Sequence, residues 1–183
     1  MHRTFKLLTF SILLTLSSWA DIAETTAFIA FKGTSTLHDF EGTAASQPFV
    51  LTFKENPETG HILISADAVL KVSAMSTDHK KRDKNMFKML DHENFSLISG
   101  SLSETSFPIS GNGNAKLKLK IRDTEKTVEA NFSNWKREGN KISVDMKFSV
   151  SLTSFGLKPP SVMGVIRVGD TVTVECEVEG TCL

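Results

Sequence analysis

The chain has 183 residues, with 21 Lys and Arg against 21 Asp and Glu and only two Cys. That balance gives no clustered basic face for nucleic acid, and two thiols are too few for a zinc site built from soft ligands. Thirteen Phe and no Tyr supply large apolar side chains without a polar handle, which suits a dry interior.

Residues 1–20 read as a signal peptide. MHRTFK is a short basic start with Arg3 and Lys6, LLTFSILLTL is a ten-residue apolar run, and small Ser18 and Ala20 precede Asp21. A spanning helix needs about 20 apolar residues, so this run is too short to remain as an anchor. Removing Arg3 and Lys6 from the totals leaves 19 basic and 21 acidic residues in 21–183. That stretch is long enough to bury roughly 70% of its extended surface as one domain. Cleavage places it in the periplasm or outside the cell.

Past residue 20 the chain alternates apolar and polar side chains, the mark of half-buried strands. Runs of this kind fall near 26–34, 38–53, 61–72, 95–103, 114–122, 126–135, 140–153 and 169–179. AKLKLKIR (115–122) sets Ala115, Leu117, Leu119 and Ile121 on one face against Lys116, Lys118, Lys120 and Arg122 on the other. Turn chemistry in NPETG (56–60), SGNGN (110–114), RDTEK (122–126), REGN (137–140) and VGD (168–170) marks the reversals. STLHDFEG (35–42) places Ser35, His38 and Asp39 together, the parts of a hydrolase triad. Neighbours on a strand point to opposite faces and cannot pair as base and orienter, so the stretch reads as a strand or strand entrance. His38, His61, His79 and His92 show no HxH or HExxH spacing, so no metal ligands are assigned.

One segment, TDHKKRDKNMFKML (77–90), has the helical period instead. A short helix is expected at about 84–90 with Asp83 as its N-cap. Met86, Phe87, Met89 and Leu90 form an apolar patch that plugs a barrel end or covers an entrance with adaptable side chains. The basic cluster from Lys80 to Lys84 reads first as a solvated helix start, with an anionic head group as the alternative. Cys176 and Cys182 admit either a disulfide fastening the C-terminus or an inward free thiol at Cys176.

About eight strands with one apolar face each predict an all-β fold, an eight-stranded antiparallel barrel with one short helix. An interior of that size is filled by side chains or holds one small ligand, and periodicity does not separate the two. A membrane barrel would need aromatic girdles and a lumen crowded with Lys116, Lys118, Lys120 and Lys147, so a membrane-spanning barrel is not expected. The inward faces nominate Phe53, Ile64, Leu97, Leu117, Leu119, Phe132, Met146, Phe148 and Val150 as a lining. Met86, Met89, Leu90, Phe155 and Leu157 are nominated to close the ends.

Three segments in series give the chain a resemblance: STLHDFEG; MSTDHKKRDKNMFKMLDHENFSLISGSL; and FSVSLTSFGLKPPSVMGVIRVGDTVTVECEV. Together they are similar to the YceI-like family. That resemblance implies an exported, lipocalin-shaped barrel whose internal tunnel holds a polyisoprenoid, a quinone or another lipid chain. It also implies no catalytic residue and no cofactor beyond a bound lipid or isoprenoid, and it allows a homodimer. A solid barrel serving as a structural or protein-interaction module is the alternative.

Overall fold

The pleat sends every second side chain inward, and in β6 (Gly113–Ile121) burial alternates without a fault: Ala115, Leu117, Leu119 and Ile121 are buried, and Lys116, Lys118 and Lys120 are exposed. The computed structural model describes residues 20–162 and 166–183; of the segment read as a signal peptide, 1–19 lie outside the described residues. The remaining strands are β1 (Asp21–Ser35), β2 (Phe40–Ala45), β3 (Phe49–Asn56), β4 (His61–Lys71), β5 (Leu97–Pro108), β7 (Thr124–Glu138), β8 (Lys141–Ser151), β9 (Ser161–Val162) and β10 (Ile166–Cys182), with one α-helix among the described residues, α1 (Lys80–Leu90).

The wall runs β1-β3-β4-β5-β6-β7-β8-β10, every neighbour antiparallel. It closes where β10 returns to β1, from Ala23↔Cys182 to Gly33↔Val172. This is the closed eight-stranded barrel expected from the alternation, with every wall edge paired. The two additional strands, β2 and β9, lie outside that circuit.

The run 38–53 is two strands rather than one. Residues 21–25 of β1 pair with β3, and residues 28–33 of the same edge pair with β2. Between them Ala27 N–H donates to Ser46 Oγ (2.8 Å) and Ser46 N–H donates to Ala27 O (2.9 Å). Pro48 brings no N–H to the ladder, so the strand breaks there. Gln47 N–H reaches across to Val69 O (2.8 Å) at the break. Beyond it β2 no longer lies against β4, and its free edge bridges instead to Ser76, with Thr43 N–H donating to Ser76 O (2.7 Å). The chain from Val72 to α1 continues from this end of the barrel and seats Val72, Met86 and Leu90 in the core.

STLHDFEG is likewise the connection between two strands: β1 ends at Ser35 and β2 begins at Phe40. VGD is not a reversal, since β10 passes straight through it. Gly169 is there for a close approach: a Cβ on it would lie 2.4 Å from Thr34 Oγ1, where the β1–β10 register shifts between Gly33 and Ser35. Asp170 beside it ties down the far end of β8. Its carboxylate accepts from Ser151 Oγ (2.6 Å) and Thr153 N–H (2.7 Å), and Leu152 N–H donates to its backbone oxygen (2.8 Å).

The Ser151 hydroxyl and the Thr153 amide hold the Asp170 carboxyl below its usual range. A depressed folded-state pKa adds stability above the ordinary carboxylate value, and that stability disappears as pH falls through the lower folded value. The acid limb of melting temperature against pH is therefore expected to be flatter in Asp170→Asn than in the native chain, checked by thermal melts between pH 6 and 2.

Candidate functional site

The barrel interior is filled at one end and vacant at the other. At the filled end, next to the β7–β8 turn, Phe53 and Trp135 pack with ring centroids 5.2 Å apart, and Phe107 stacks on Phe132 at 5.1 Å. Ala23, Ile62, Ala115 and Ile142 complete this level, all buried. Trp135 Nε1–H donates to Glu55 Oε1 (2.8 Å), which satisfies the one polar atom of the ring. Arg137 lies over the Phe53 ring at 5.3 Å and bonds Asp21 at 2.6 Å, so a cation covers this end from outside.

Above that floor lies a cavity of about 650 Å³. Its wall is aliphatic and aromatic: Ile64, Leu117, Leu119, Phe132, Met146, Phe148 and Val150 line it, joined by Phe31, Leu51, Val144, Val172 and Val174. Room is left where small residues meet. Ala68 faces Gly100 across the β4–β5 ladder, and Ala66 sits one inward position below. Met86, Met89, Leu90 and Leu157 close the upper end. The cavity reaches the surface between α1 and the β1–β2 connection, where exposed Leu37, His38, His79 and Lys81 line it with Arg82 and Asn85. Among the described residues, no Asp or Glu lines it.

Two of the residues nominated for the lining, Leu97 and Phe53, and one nominated to close an end, Phe155, lie elsewhere. Leu97 is 48% exposed. The cavity face of β5 is Ile98, Gly100 and Leu102, so the expected phase of that strand was off by one residue, and such a slip turns a side chain to the opposite face. Phe53 is buried in the floor, and Phe155 is buried in the short 3₁₀ turn Thr153–Phe155; neither borders the cavity. The sequence reading missed Phe31, Ile98, Val172 and Val174. The alternation of TVTVECEV did carry the signal for the last two.

α1 begins one turn earlier than its apolar period suggests, at Lys80 rather than Lys84. Lys80, Lys81 and Lys84 are exposed and the inward side chains of that turn, Arg82 and Asp83, are themselves polar, so apolar periodicity is silent there. His79 caps it, its Nδ1 accepting from Arg82 N–H (3.3 Å). Asp83, expected as the cap, instead accepts from the N–H (2.8 Å) and hydroxyl of buried Thr77. Arg82 completes the clamp, Nε donating to Thr77 Oγ1 (3.0 Å) and Nη2 to Thr77 O (3.2 Å). Asp83 and Arg82 thus fix the loop that delivers α1 to the mouth. Ser35 is engaged by its own turn: its hydroxyl donates to the His38 backbone oxygen (2.6 Å) and accepts from His38 N–H (3.2 Å). His38 and Asp39 are both exposed.

The disulfide does not form; both cysteines are free. They stand six residues apart on one extended strand, about 20 Å at roughly 3.3 Å per residue, whereas a disulfide needs Cα atoms within about 7 Å. Cys176 is buried against the cavity, where desolvation pushes its thiol up to about 12.

A closed eight-stranded antiparallel barrel around an apolar bore with one polar mouth has the lipocalin-like architecture. Within that class the chain belongs to the YceI-like family, since a YceI-like domain matches residues 20–180. Solved structures share the fold at low identity. BcnA of Burkholderia cenocepacia is 15% identical with a TM-score of 0.67, covering 85% of this chain and 96% of its own. A polyisoprenoid binding domain from Saccharophagus degradans is 11% identical with a TM-score of 0.61, covering 90% and 100%. The Campylobacter jejuni YceI protein is 12% identical with a TM-score of 0.55, covering 99% and 92%. No curated protein matches the chain.

Two outcomes follow. Asp83→Ala strands the Thr77 amide and hydroxyl and is expected to lower stability by about 2–3 kcal/mol, read as a shift of the urea midpoint at unchanged slope. Alkylation without prior reduction is expected to modify Cys182 alone in the folded protein and both cysteines in urea. A mass two hydrogens light and inert to alkylation in urea contradicts the free thiols.

Proposed function

We propose that the protein is an exported, non-enzymatic binding protein that holds one long apolar chain, a polyisoprenoid, quinone tail or other lipid, inside the barrel. The single observation that carries this reading is the vacant bore of about 650 Å³, walled almost wholly by hydrocarbon and opening to solvent at one end. Its size falls in the range of pockets that enclose a small ligand, roughly 300–1,000 Å³. Each CH₂ moved from water into such a wall contributes about 0.8 kcal/mol, so a chain gains affinity along its whole length without any hydrogen bond. The polar end of the ligand then remains at the mouth, among His38, His79, Lys81 and Arg82, where no carboxylate among the described residues lines the wall and a head group rich in acceptor oxygens is favoured.

Family membership supports the binding role, and the Saccharophagus degradans relative is described as a polyisoprenoid binding domain. The basic start, apolar run and small residues of 1–20 support export. No described helix is long and apolar enough to cross a membrane. The barrel's exposed Lys116, Lys118 and Lys120 stand where a lipid-embedded barrel carries its apolar band. These lysines favour a barrel outside the lipid bilayer over one embedded in it.

Native mass spectrometry of protein purified without detergent tests the reading, with a co-purifying apolar mass as the expected result. Leu119→Lys places an ammonium group on the bore wall; retention of that mass is expected to fall at least tenfold while the circular dichroism of the barrel is unchanged. Bare protein from several expression hosts, together with no uptake of added lipid, would overturn the carrier.

A further inference from the structure

The floor of the bore is built of buried, largely aromatic side chains. Phe53, Ile62, Phe107, Trp135 and Ile142 are buried at the β7–β8 end of the barrel and none of them borders the cavity, whereas Phe132, stacked on Phe107, does. The bore is therefore blind: a chain entering at the α1 mouth stops at the Phe132 ring. An apolar cavity of ~150 Å³ holds one benzene, about 25 Å³ per non-hydrogen atom, so about 650 Å³ holds roughly 25 such atoms. On β8 the cavity wall extends from Val144 to Val150, about 20 Å along the strand and, at a tilt near 40°, about 15 Å deep. Laid straight, 25 carbons reach about 30 Å at ~1.25 Å each, twice that depth. The bore is short and broad, and suits a branched or folded chain.

Building on the carrier reading, we infer that this aromatic floor sets an upper limit on the ligand: a branched chain of about 20–25 carbons, four or five isoprene units, is enclosed, and any longer chain leaves its remainder in water. The consequence is sharpest in transfer from a bilayer. Carbons that enter the bore exchange one apolar surrounding for another, whereas each carbon left outside lowers uptake about fourfold. Phe132 sets the depth: removing its ring frees space for about six carbons, one further isoprene unit. Ala66, low on the opposite wall, sets it in the other direction, because a larger side chain there grows into vacant space.

The test offers delipidated protein an equimolar mixture of prenyl alcohols of 10 to 45 carbons in phosphatidylcholine vesicles, and reads the transferred species by native mass spectrometry. Uptake is expected up to about 25 carbons and at least tenfold less at 35 and above. Phe132→Ala is expected to raise the cut-off by one five-carbon unit and Ala66→Phe to lower it by about one. Ala66→Phe decides the matter alone if Phe132→Ala does not fold. Uptake of no member at any length defeats the carrier reading itself. Uptake indifferent to length, or a cut-off unmoved by the variants that fold, defeats the floor as the limit and leaves the carrier standing.

Discussion

In a closed eight-stranded barrel the inward residues at each level must share one small cross-section, and their summed size decides whether that level is solid or hollow. The whole structure follows from how this constraint is met at two heights. At the lower level Phe53 packs on Trp135 and Phe107 stacks on Phe132, all four rings buried. One layer up, Val144, Ala66, Ala68 and Gly100 stand where bulk would be needed to close the space, and they do not close it. A packed interior is close to crystal density, so a vacancy of this size is not a packing fault. It is a consequence of residue choice.

The upper end owes its shape to the break at residues 46–48. While β3 runs beside β1 and β4 the barrel is a plain cylinder; once β2 diverges from β4, that end needs another cover, and the chain from Val72 to Leu90 supplies it. Polar residues hold the cover in place through the clamp of Thr77, Arg82 and Asp83, and flexible residues, Met86 and Met89, form its inner surface. Anchoring and accommodation thus follow one another along a single face of one short helix, the first turn holding and the later turns lining. Methionine side chains adapt to irregular shapes, which fits an entrance better than rigid β-branched packing.

Much of the barrel was legible because alternation is a direct readout of the pleat. β6, β8 and the last strand announced their inward faces, and seven of the nine nominated wall residues line the cavity. The failures have distinct causes. Leu97 begins a strand whose flanks carry few apolar residues, so its phase was set by one large side chain rather than by the pattern of Ile98, Gly100 and Leu102. The first turn of α1 was hidden because its inward residues, Arg82 and Asp83, are polar and leave no apolar period. The break in 38–53 lies in a Ser-Gln-Pro step whose meaning depends on which neighbours it leaves. Whether the middle was hollow could not be read at all: local pattern gives a direction for each side chain, and volume is a sum over residues far apart in the chain, such as Phe53 with Trp135 and Ala68 with Gly100.

The division into a solid floor and a dry, vacant bore is tested most directly with xenon, which settles into apolar cavities that water leaves empty. Crystals of delipidated protein under xenon pressure are predicted to show xenon beside Leu117, Phe148 and Val174, and none among Phe53, Phe107 and Trp135. An interior without xenon at either level, packed with side chains or filled with ordered water, would contradict the account.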